Sequence, residues 1–441
     1  GQAKPHAPML ETMTEHGLSA RASRALLPAL SYGAAFGAAK ARPWSASDPE
    51  GNIICSVAEN KLSVDLFHKR FSEAIQTVPV DQLSYPATFR GTPESRAATA
   101  HMMQRTWCKG ITIKPEDVAM VSGVGAALDL LFHSLCGPGE GCLLPTPIYP
   151  AFINDLEVRN ACHPVLFELS DEPELVGQQL STAADNAAAA GHPVRMLLLT
   201  NPNNPVGTVY KQDTVLEIIR WCCERDVHFI SDEIYALSVW GQDQPHFESA
   251  EVLAQRAVAE GLIPSHLAER VPKLVHLVFG FSKDFCASGL RVGCVHTRNT
   301  GLMSVIDNLV YFQMGSTPVF HALAQMLNDD AFIDSFLAEN QKRMRESYKG
   351  LADALDAAQL PHVPACAAMF CWVDLRSGLR APGWEGERQL WQQMVDKGVL
   401  LTPGEACKAK EPGFFRICWA WCPAAALPDA VKRIQLLIKS L

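Results

Sequence analysis

Long apolar runs are missing from this sequence. No stretch of about eighteen uncharged apolar residues occurs, so no helix is expected to cross a membrane. Basic charge is in deficit, with 38 Lys and Arg against 47 Asp and Glu and a net charge of −9, which excludes the basic face a nucleic-acid partner needs. The first residues lack the basic-then-apolar pattern of a secretory leader. No internal repeat is visible, and the alanine-rich end of a helix at 182–190 is the nearest approach to low complexity. Cysteine is not scarce at 14, but metal-knuckle spacing is absent. Cys222-Cys223 is a vicinal pair rather than Cys-x-x-Cys, and no His-x-x-x-His accompanies it. Scattered cysteines among apolar neighbours act as small hydrophobes, so they read as structural thiols in a reducing cytoplasmic compartment, with no metal bound.

A hydrophobic content of 48% and a charged content of 19% fit a soluble globular chain, and 441 residues allow two or three domains with large cores. Residues 1–20 read as loosely structured and residues 21–50 as an arm lying across something else. Asn52 to Val57 is a short strand, and Ser63 then caps a helix. The segment from Tyr85 leads into a long helix ending near Lys109. Further on, short apolar runs alternate with turns rich in glycine, proline and asparagine. Val118–Ser122 precedes Gly123-Val124-Gly125-Ala126 and a helix to about Leu135; such a helix start offers free N–H groups to a phosphate, although Gly-x-Gly alone is weak. No dinucleotide-binding fingerprint follows it. Cys142-Leu143-Leu144 precedes Pro145-Thr146-Pro147-Ile148-Tyr149-Pro150, where Tyr149 is either a core or loop tyrosine or a ring that stacks on a planar ligand.

Leu197–Thr200 leads into Asn201-Pro202-Asn203-Asn204-Pro205-Val206-Gly207-Thr208, a rigid turn at a strand's carboxyl end, where open α/β sheets place ligands. His228–Asp232 ends in an acid, with Tyr235 three residues on. Leu274–Phe281 precedes Ser282-Lys283-Asp284-Phe285-Cys286-Ala287-Ser288-Gly289-Leu290-Arg291. A lysine in an apolar site loses hydration, so its neutral amine becomes available for Schiff-base chemistry. Arg291 follows at a spacing suited to an anionic group facing the same side. Asn204, Asp232 and Lys283 therefore fall at successive strand ends.

From about Asp307 the chain reads as helical across Pro318 to Leu355, with the basic residues around 342–349 on a solvated face. Ala367–Leu375 and Gly413–Ala420 read as strands. Arg416 lies inside an apolar run, where an unpaired guanidinium is costly, so it needs an anionic partner: a structural carboxylate or a bound one.

The lysine stretch resembles that of fold-type I pyridoxal 5'-phosphate (PLP) enzymes of the class I/II aminotransferases, nearest the 1-aminocyclopropane-1-carboxylate (ACC) synthase branch. Ala58-Glu59-Asn60-Lys61-Leu62-Ser63 is similar to that branch's Ala-Glu-Asn-x-Leu-Ser run, and the likeness covers roughly residues 50–425. It implies an α/β fold with a large, mostly parallel seven-stranded sheet and a smaller α/β domain, divided as residues 1–58 (arm and part of the small domain), 59–315 (PLP-binding) and 316–441. It implies Lys283 as the Schiff-base lysine and the base at Cα, Asp232 at the pyridine nitrogen, and Asn204 and Tyr235 on the phenolic oxygen. By the same resemblance Tyr149 is expected to stack on the ring, Val124 and Gly125 to give backbone donors to the phosphate, Arg291 to bind it, and Phe89 to face a neighbouring subunit's cofactor. The resemblance further implies Arg416 as the clamp on the substrate carboxylate and Ala58 and Glu59 as candidates lining the substrate site.

Two departures stand out: Phe89 where a tyrosine is common, and Gly280 where a phosphate-binding serine is common. Either the phosphate loses a ligand at Gly280 or a group such as Ser282 substitutes. The expected partner molecules are a small amino-acid-derived substrate and a second copy of the chain in a homodimer. The reaction is expected to be a lyase eliminating a Cβ substituent, of carbon–sulfur type, in secondary metabolism. Alternatives are an aminotransferase, an ACC synthase acting on S-adenosylmethionine, and a non-catalytic PLP-fold binding protein. Phe89 and the Glu405-Ala406-Cys407-Lys408 loop count against the ACC synthase.

Overall fold

Short apolar runs punctuated by glycine and proline form thirteen strands in the computed structural model, which describes residues 17–19, 21–26, 32–241 and 246–440. The loose structure expected for residues 1–20 lies, apart from 17–19, outside them. The strands are β1 (Ile53–Ile54), β2 (Val118–Val121), β3 (Gly141–Thr146), β4 (His163–Glu168), β5 (Val194–Thr200), β6 (His228–Asp232), β7 (Val275–Gly280), β8 (Gly293–Thr297), β9 (His362–Val363), β10 (Phe370–Asp374), β11 (Val399–Leu400), β12 (Thr402–Pro403) and β13 (Phe414–Cys418). Seven of them make one sheet in the order β2-β8-β7-β6-β5-β3-β4. Only β8 runs antiparallel to its neighbours. β2, β7 and β8 are buried at every position, as a sheet covered on both faces requires. Among the described residues no helix is long and apolar enough to cross a membrane.

The registers align the strand ends that matter. Thr200 pairs with Asp232, and Asp232 with Val278, so the turns after β5, β6 and β7 emerge side by side. This is the carboxyl edge of adjacent parallel strands, where backbone groups leave the ladder and side chains converge.

A second sheet, β12-β13-β10-β9, is antiparallel and faces that edge. β1 pairs in parallel with β11, so the chain before residue 58 joins the C-terminal part. The arm's helix Gly33–Ala39 packs on both strands. Trp44 Nε1 donates to Asp429 Oδ2 at 3.1 Å, fastening the arm further.

Three expectations need correction. Ser63 does not cap the helix Val64–Ile75 with its side chain; its hydroxyl is buried without a partner. Asn60 takes the neighbouring role, its Oδ1 accepting the Leu62 N–H at 3.0 Å. The helical reading from Asp307 to Leu355 is three helices: Thr300–Leu309, Thr317–Leu327 and Asp330–Ala357. Pro318 sits in a first turn, where its missing N–H costs nothing, and the Asp329 side chain caps the last helix. The basic stretch around 342–349 is not simply a solvated face, because Arg343 pairs with Asp65 at 2.7 Å and Arg345 donates to the Trp240 carbonyl at 3.0 Å.

Gly207 is where the two sheets meet. Its φ is +80°, and a Cβ there would overlap the carbonyl oxygen of Phe370 on β10. Its own carbonyl accepts the N–H groups of Cys366 and Ala367 at 2.9 and 3.0 Å. Gly207→Ala is therefore expected to cost about 2–4 kcal/mol, from left-handed strain plus the collision. A urea midpoint unchanged from wild type would contradict the close approach.

Candidate active site

Lys283 stands in the turn after β7, half-buried in the seam between the sheets. Burial pushes its ammonium down to about 8, and the nearby Arg416 guanidinium adds to the push. Its Nζ donates a short hydrogen bond to the Ala58 carbonyl. The Glu59 carboxylate lies close by, accepting from the Ser288 hydroxyl and, at 3.2 Å, from Trp421 Nε1.

Asp232, the last residue of β6, is 4% exposed. Its donors are the Thr200 hydroxyl and the Ile234 N–H, both at 3.3 Å. Burial still drives its carboxyl up to about 7 against these donors, so the site favours a cationic N–H placed against it.

Asn204 joins two of the expected residues. Its Nδ2 lies 3.3 Å from the Tyr235 hydroxyl, and its Oδ1 accepts from Arg416 Nη1 at 2.8 Å. Tyr235 is buried, which raises its phenol well above the ordinary range, and its ring meets Phe370 edge-on at 5.5 Å. Arg416, on β13, is 1% exposed. Its Nη2 donates to the Ser56 carbonyl at 2.7 Å and to Thr402 Oγ1 at 3.0 Å, while its Nε has no partner. Among the described residues no carboxylate pairs with it. A buried guanidinium held only by neutral acceptors, with a donor to spare, is chemically suited to receive an anion.

The anion cup lies at the start of the helix Val124–Leu135, whose first N–H groups have no acceptor within the helix. Gly123 has φ +102°, and a Cβ on it would sit 2.6 Å from Arg291 Nη2. The guanidinium thus lies across the mouth of the cup formed by Gly123, Val124 and Gly125, with Nη1 donating to the Ser288 carbonyl at 2.9 Å. The departure at Gly280 has a steric counterpart: a Cβ there would lie 2.7 Å from Cγ2 of Val124, so any side chain at 280 would collide with that methyl.

Tyr149 is half-buried at the end of β3, with its ring edge-on to Phe152 at 5.3 Å and its phenol raised to about 12 by burial. Its neighbour Ile148 donates to the Cys407 carbonyl at 2.8 Å, so the 405–408 loop supports the tyrosine's turn. Phe89 stands elsewhere, edge-on to Tyr311 at 5.2 Å in a surface group that includes Tyr85 and Phe312.

Several partners escaped the sequence reading: Thr200 on Asp232, Ser56 and Thr402 on Arg416, and Ser288 and Trp421 on Glu59. Ser288 stands inside the lysine stretch with no role assigned to it there, the others lie outside any motif, and Ser56 meets Arg416 across 360 residues.

These groups fit PLP. An electron-poor pyridine needs an acid at its nitrogen, an aldehyde needs a neutral amine, and a phosphate needs a cation with free N–H groups. Asp232, Lys283 and Arg291 with the helix start supply them, and the glycine at 123 leaves the cup open.

Comparison with known proteins agrees with this geometry. The profile of the family Aminotransferase class I and II matches residues 58–434. The chain is 31% identical over 404 residues to 1-aminocyclopropane-1-carboxylate synthase 6 of Arabidopsis thaliana, covering 89% of this chain and 79% of that one. It is 33% identical over 400 residues to the ACC synthase of Glycine max, covering 88% and 80%. Among solved structures, a Thermus thermophilus aspartate aminotransferase double mutant superposes with a TM-score of 0.76 at 20% identity, covering 96% of this chain and 99% of that one. An aminotransferase from Mycobacterium tuberculosis gives 0.73 at 22% identity, covering 95% and 98%. At these identities the structural likeness shows the fold.

Only a neutral amine attacks an aldehyde, so uptake of PLP by the apoprotein should quicken as pH rises and level off above about 8. Stopped-flow absorbance from neutral to strongly alkaline pH checks this. A rate still climbing at the ordinary lysine pKa would mean that Lys283 is hydrated.

Proposed function

The chain belongs to the class I and II aminotransferases, PLP-dependent enzymes, and we propose that it deprotonates the α-carbon of an amino acid and expels a substituent from Cβ, as a carbon–sulfur lyase. The observation that carries the first half is the pairing, in one seam, of a half-buried lysine whose amine is pushed down to about 8 and a buried arginine with which, among the described residues, no carboxylate pairs. PLP supplies the electron sink that makes the α-proton acidic. Asp232 would hold the pyridine N–H, Asn204 and Tyr235 the phenolic oxygen, Tyr149 one ring face, and Arg291 with Val124 and Gly125 the phosphate. Arg416 binds the substrate carboxylate through its free Nε edge and so fixes which Cα bond faces Lys283. The lysine amine, neutral at mildly alkaline pH, takes the proton. Its link to the Ala58 carbonyl gives it a resting place close to that α-carbon.

Support for elimination over transfer comes from Glu59. Its carboxylate is fixed beside Lys283 by Ser288 and Trp421, a polar anchor beyond what carboxylate clamping needs. Such an anchor suits a substrate whose side chain takes part in the reaction. Transamination is the second reading, since the residues around Lys283, Asp232 and Arg416 suffice for it. ACC formation is disfavoured by Phe89, which lacks the hydroxyl common at that position.

We also propose a homodimer. Val80, Leu83, Tyr85 and Phe312 are all more than 70% exposed, and the last two adjoin Phe89 and Tyr311. A second copy seated there would cover them and bring Phe89 toward its partner's site. For domains, residues 59–315 would surround the cofactor, and 1–58 would join 316–441 through β1 on β11. The helix Thr317–Leu327 still packs on the helices Val64–Ile75 and Pro93–Thr106, which favours a boundary nearer Asn328. Free thiols at all 14 cysteines, with only Cys286 not fully buried, suit the cytoplasm.

Two measurements test the reading. PLP-loaded protein given S-substituted cysteines should release ammonia and thiol without a 2-oxo-acid acceptor; turnover that demands the acceptor would make it an aminotransferase. Arg416→Ala should raise KM for the amino acid by about 100-fold with the cofactor still bound, the cost of losing a bidentate charged contact. An unchanged KM would leave Arg416 a structural residue.

A further inference from the structure

Asp284 directly follows the lysine, and the reading of the site gives it no task. It is 0% exposed, and no cation pairs with it among the described residues. Its Oδ2 accepts the Leu237 N–H at 2.8 Å, and its Oδ1 accepts a short hydrogen bond from the Ser238 hydroxyl. Leu237 and Ser238 belong to the turn that presents Tyr235, whose carbonyl accepts the Ser238 N–H at 3.0 Å. The carboxylate of the residue after Lys283 therefore grips the backbone of the turn that carries Tyr235.

The grip extends to a third segment. Asn340, also 0% exposed, sends its Nδ2 to the Asp284 carbonyl at 3.3 Å. Its Oδ1 accepts from Asn60 Nδ2 at 3.0 Å, and Asn60 ends the Ala58-Glu59-Asn60 run that receives the lysine amine. Gln341, next along the same helix, donates to the Leu237 carbonyl at 3.0 Å. Three loops that meet only in the folded chain are tied to one helix, Asp330–Ala357, by polar side chains, buried at Asn60, Asp284 and Asn340 and half-buried at Gln341. A carboxylate taken out of water without a cation is costly, so a purely space-filling role would be served better by an apolar side chain. Fully engaged buried networks do something an apolar side chain cannot, which is to fix one arrangement of the segments they join.

We propose that Asp284 is a positioning residue: through Leu237 and Ser238 it sets the distance between the Tyr235 hydroxyl and the Lys283 amine, with Asn340 and Asn60 holding the Ala58 carbonyl to the same frame. The inference rests on Lys283 and Tyr235 being the cofactor residues proposed above. A hydroxyl held at the phenolic oxygen stabilises its deprotonated form, so a loosened Tyr235 turn raises the pH at which the bound cofactor's visible absorbance changes. Asparagine at 284 can accept from the Leu237 N–H and donate to the Ser238 oxygen; alanine can do neither.

The experiment is a pH titration of the visible absorbance of the PLP-loaded protein, with the PLP dissociation constant from equilibrium dialysis and the melting temperature measured alongside. Wild type, Asp284→Asn, Asp284→Ala, Ser238→Ala and Lys283→Ala are compared. Asp284→Ala should move the midpoint upward by about one pH unit, a tenfold change in proton affinity. It should weaken PLP binding about tenfold, while Asp284→Asn stays within about twofold of wild type on both measures. Ser238→Ala, which removes one hydrogen bond, should shift the midpoint the same way by less, and it carries the test if Asp284→Ala does not fold. A lower melting temperature with an unmoved midpoint in both Asp284→Ala and Ser238→Ala would overturn the proposal. So would Asp284→Asn shifting as far as Asp284→Ala, since the charge and not the geometry would then matter. Lys283→Ala separates the two levels: a visible band that survives it overturns the assignment of the lysine itself, whatever the Asp284 variants do.

Discussion

Charge held out of water is the constraint on which the rest of this structure depends. Asp232 and Arg416 lie buried and Lys283 half-buried in one seam, and among the described residues none is neutralised by a salt bridge. Each is held instead by neutral dipoles: the Ala58 carbonyl, the Thr200 hydroxyl, the Asn204 amide and the Ser56 carbonyl. Such an arrangement leaves an amine with a lowered pKa, a carboxyl with a raised one and a guanidinium with a spare donor. An ion pair among them would have quenched all three.

The two sheets exist, for this purpose, to close that seam. Three parallel strands bring the turns after β5, β6 and β7 to one edge in register, and β13 of the antiparallel sheet lays Arg416 across the gap. Gly207 lets the backbones approach where a side chain would have held the sheets apart. β1 on β11 brings Ser56 and Ala58 in from the arm side, so residues from both ends of the chain finish the same pocket. The site therefore depends on the docking of two layers and not on one loop.

The two departures from the common family pattern acquire different meanings in three dimensions. At Gly280 the missing side chain is matched by Val124, whose Cγ2 methyl stands where a Cβ would collide with it. At Phe89 the ring joins a surface aromatic group, edge-on to Tyr311. One is a change met by a neighbour packed against it; the other leaves an aromatic ring without a hydroxyl in a surface group.

The sequence by itself determined the strand ends. Buried parallel strands must be short and apolar, and the turns that leave them need proline, glycine or asparagine, so Asn204, Asp232, Lys283 and the Gly123-Val124-Gly125 turn were legible as a set. Arg416 was legible for a related reason, because a guanidinium in an apolar run must have a purpose. The missed helix break between Thr300–Leu309 and Thr317–Leu327 was written in Ser316-Thr317-Pro318, a start signal passed over for the sake of the longer period. Ser63 misled because a capping serine and a buried serine look alike until the neighbouring Asn60 is seen to bond Leu62 and Asn340. What only the tertiary structure decided is the set of supporting groups: Ser56, Thr200, Trp421, Asp284 and Asn340. Their roles come from proximity between segments far apart in the chain. A side chain's neighbours across a packed interface leave no period, cap or turn signal in its local sequence.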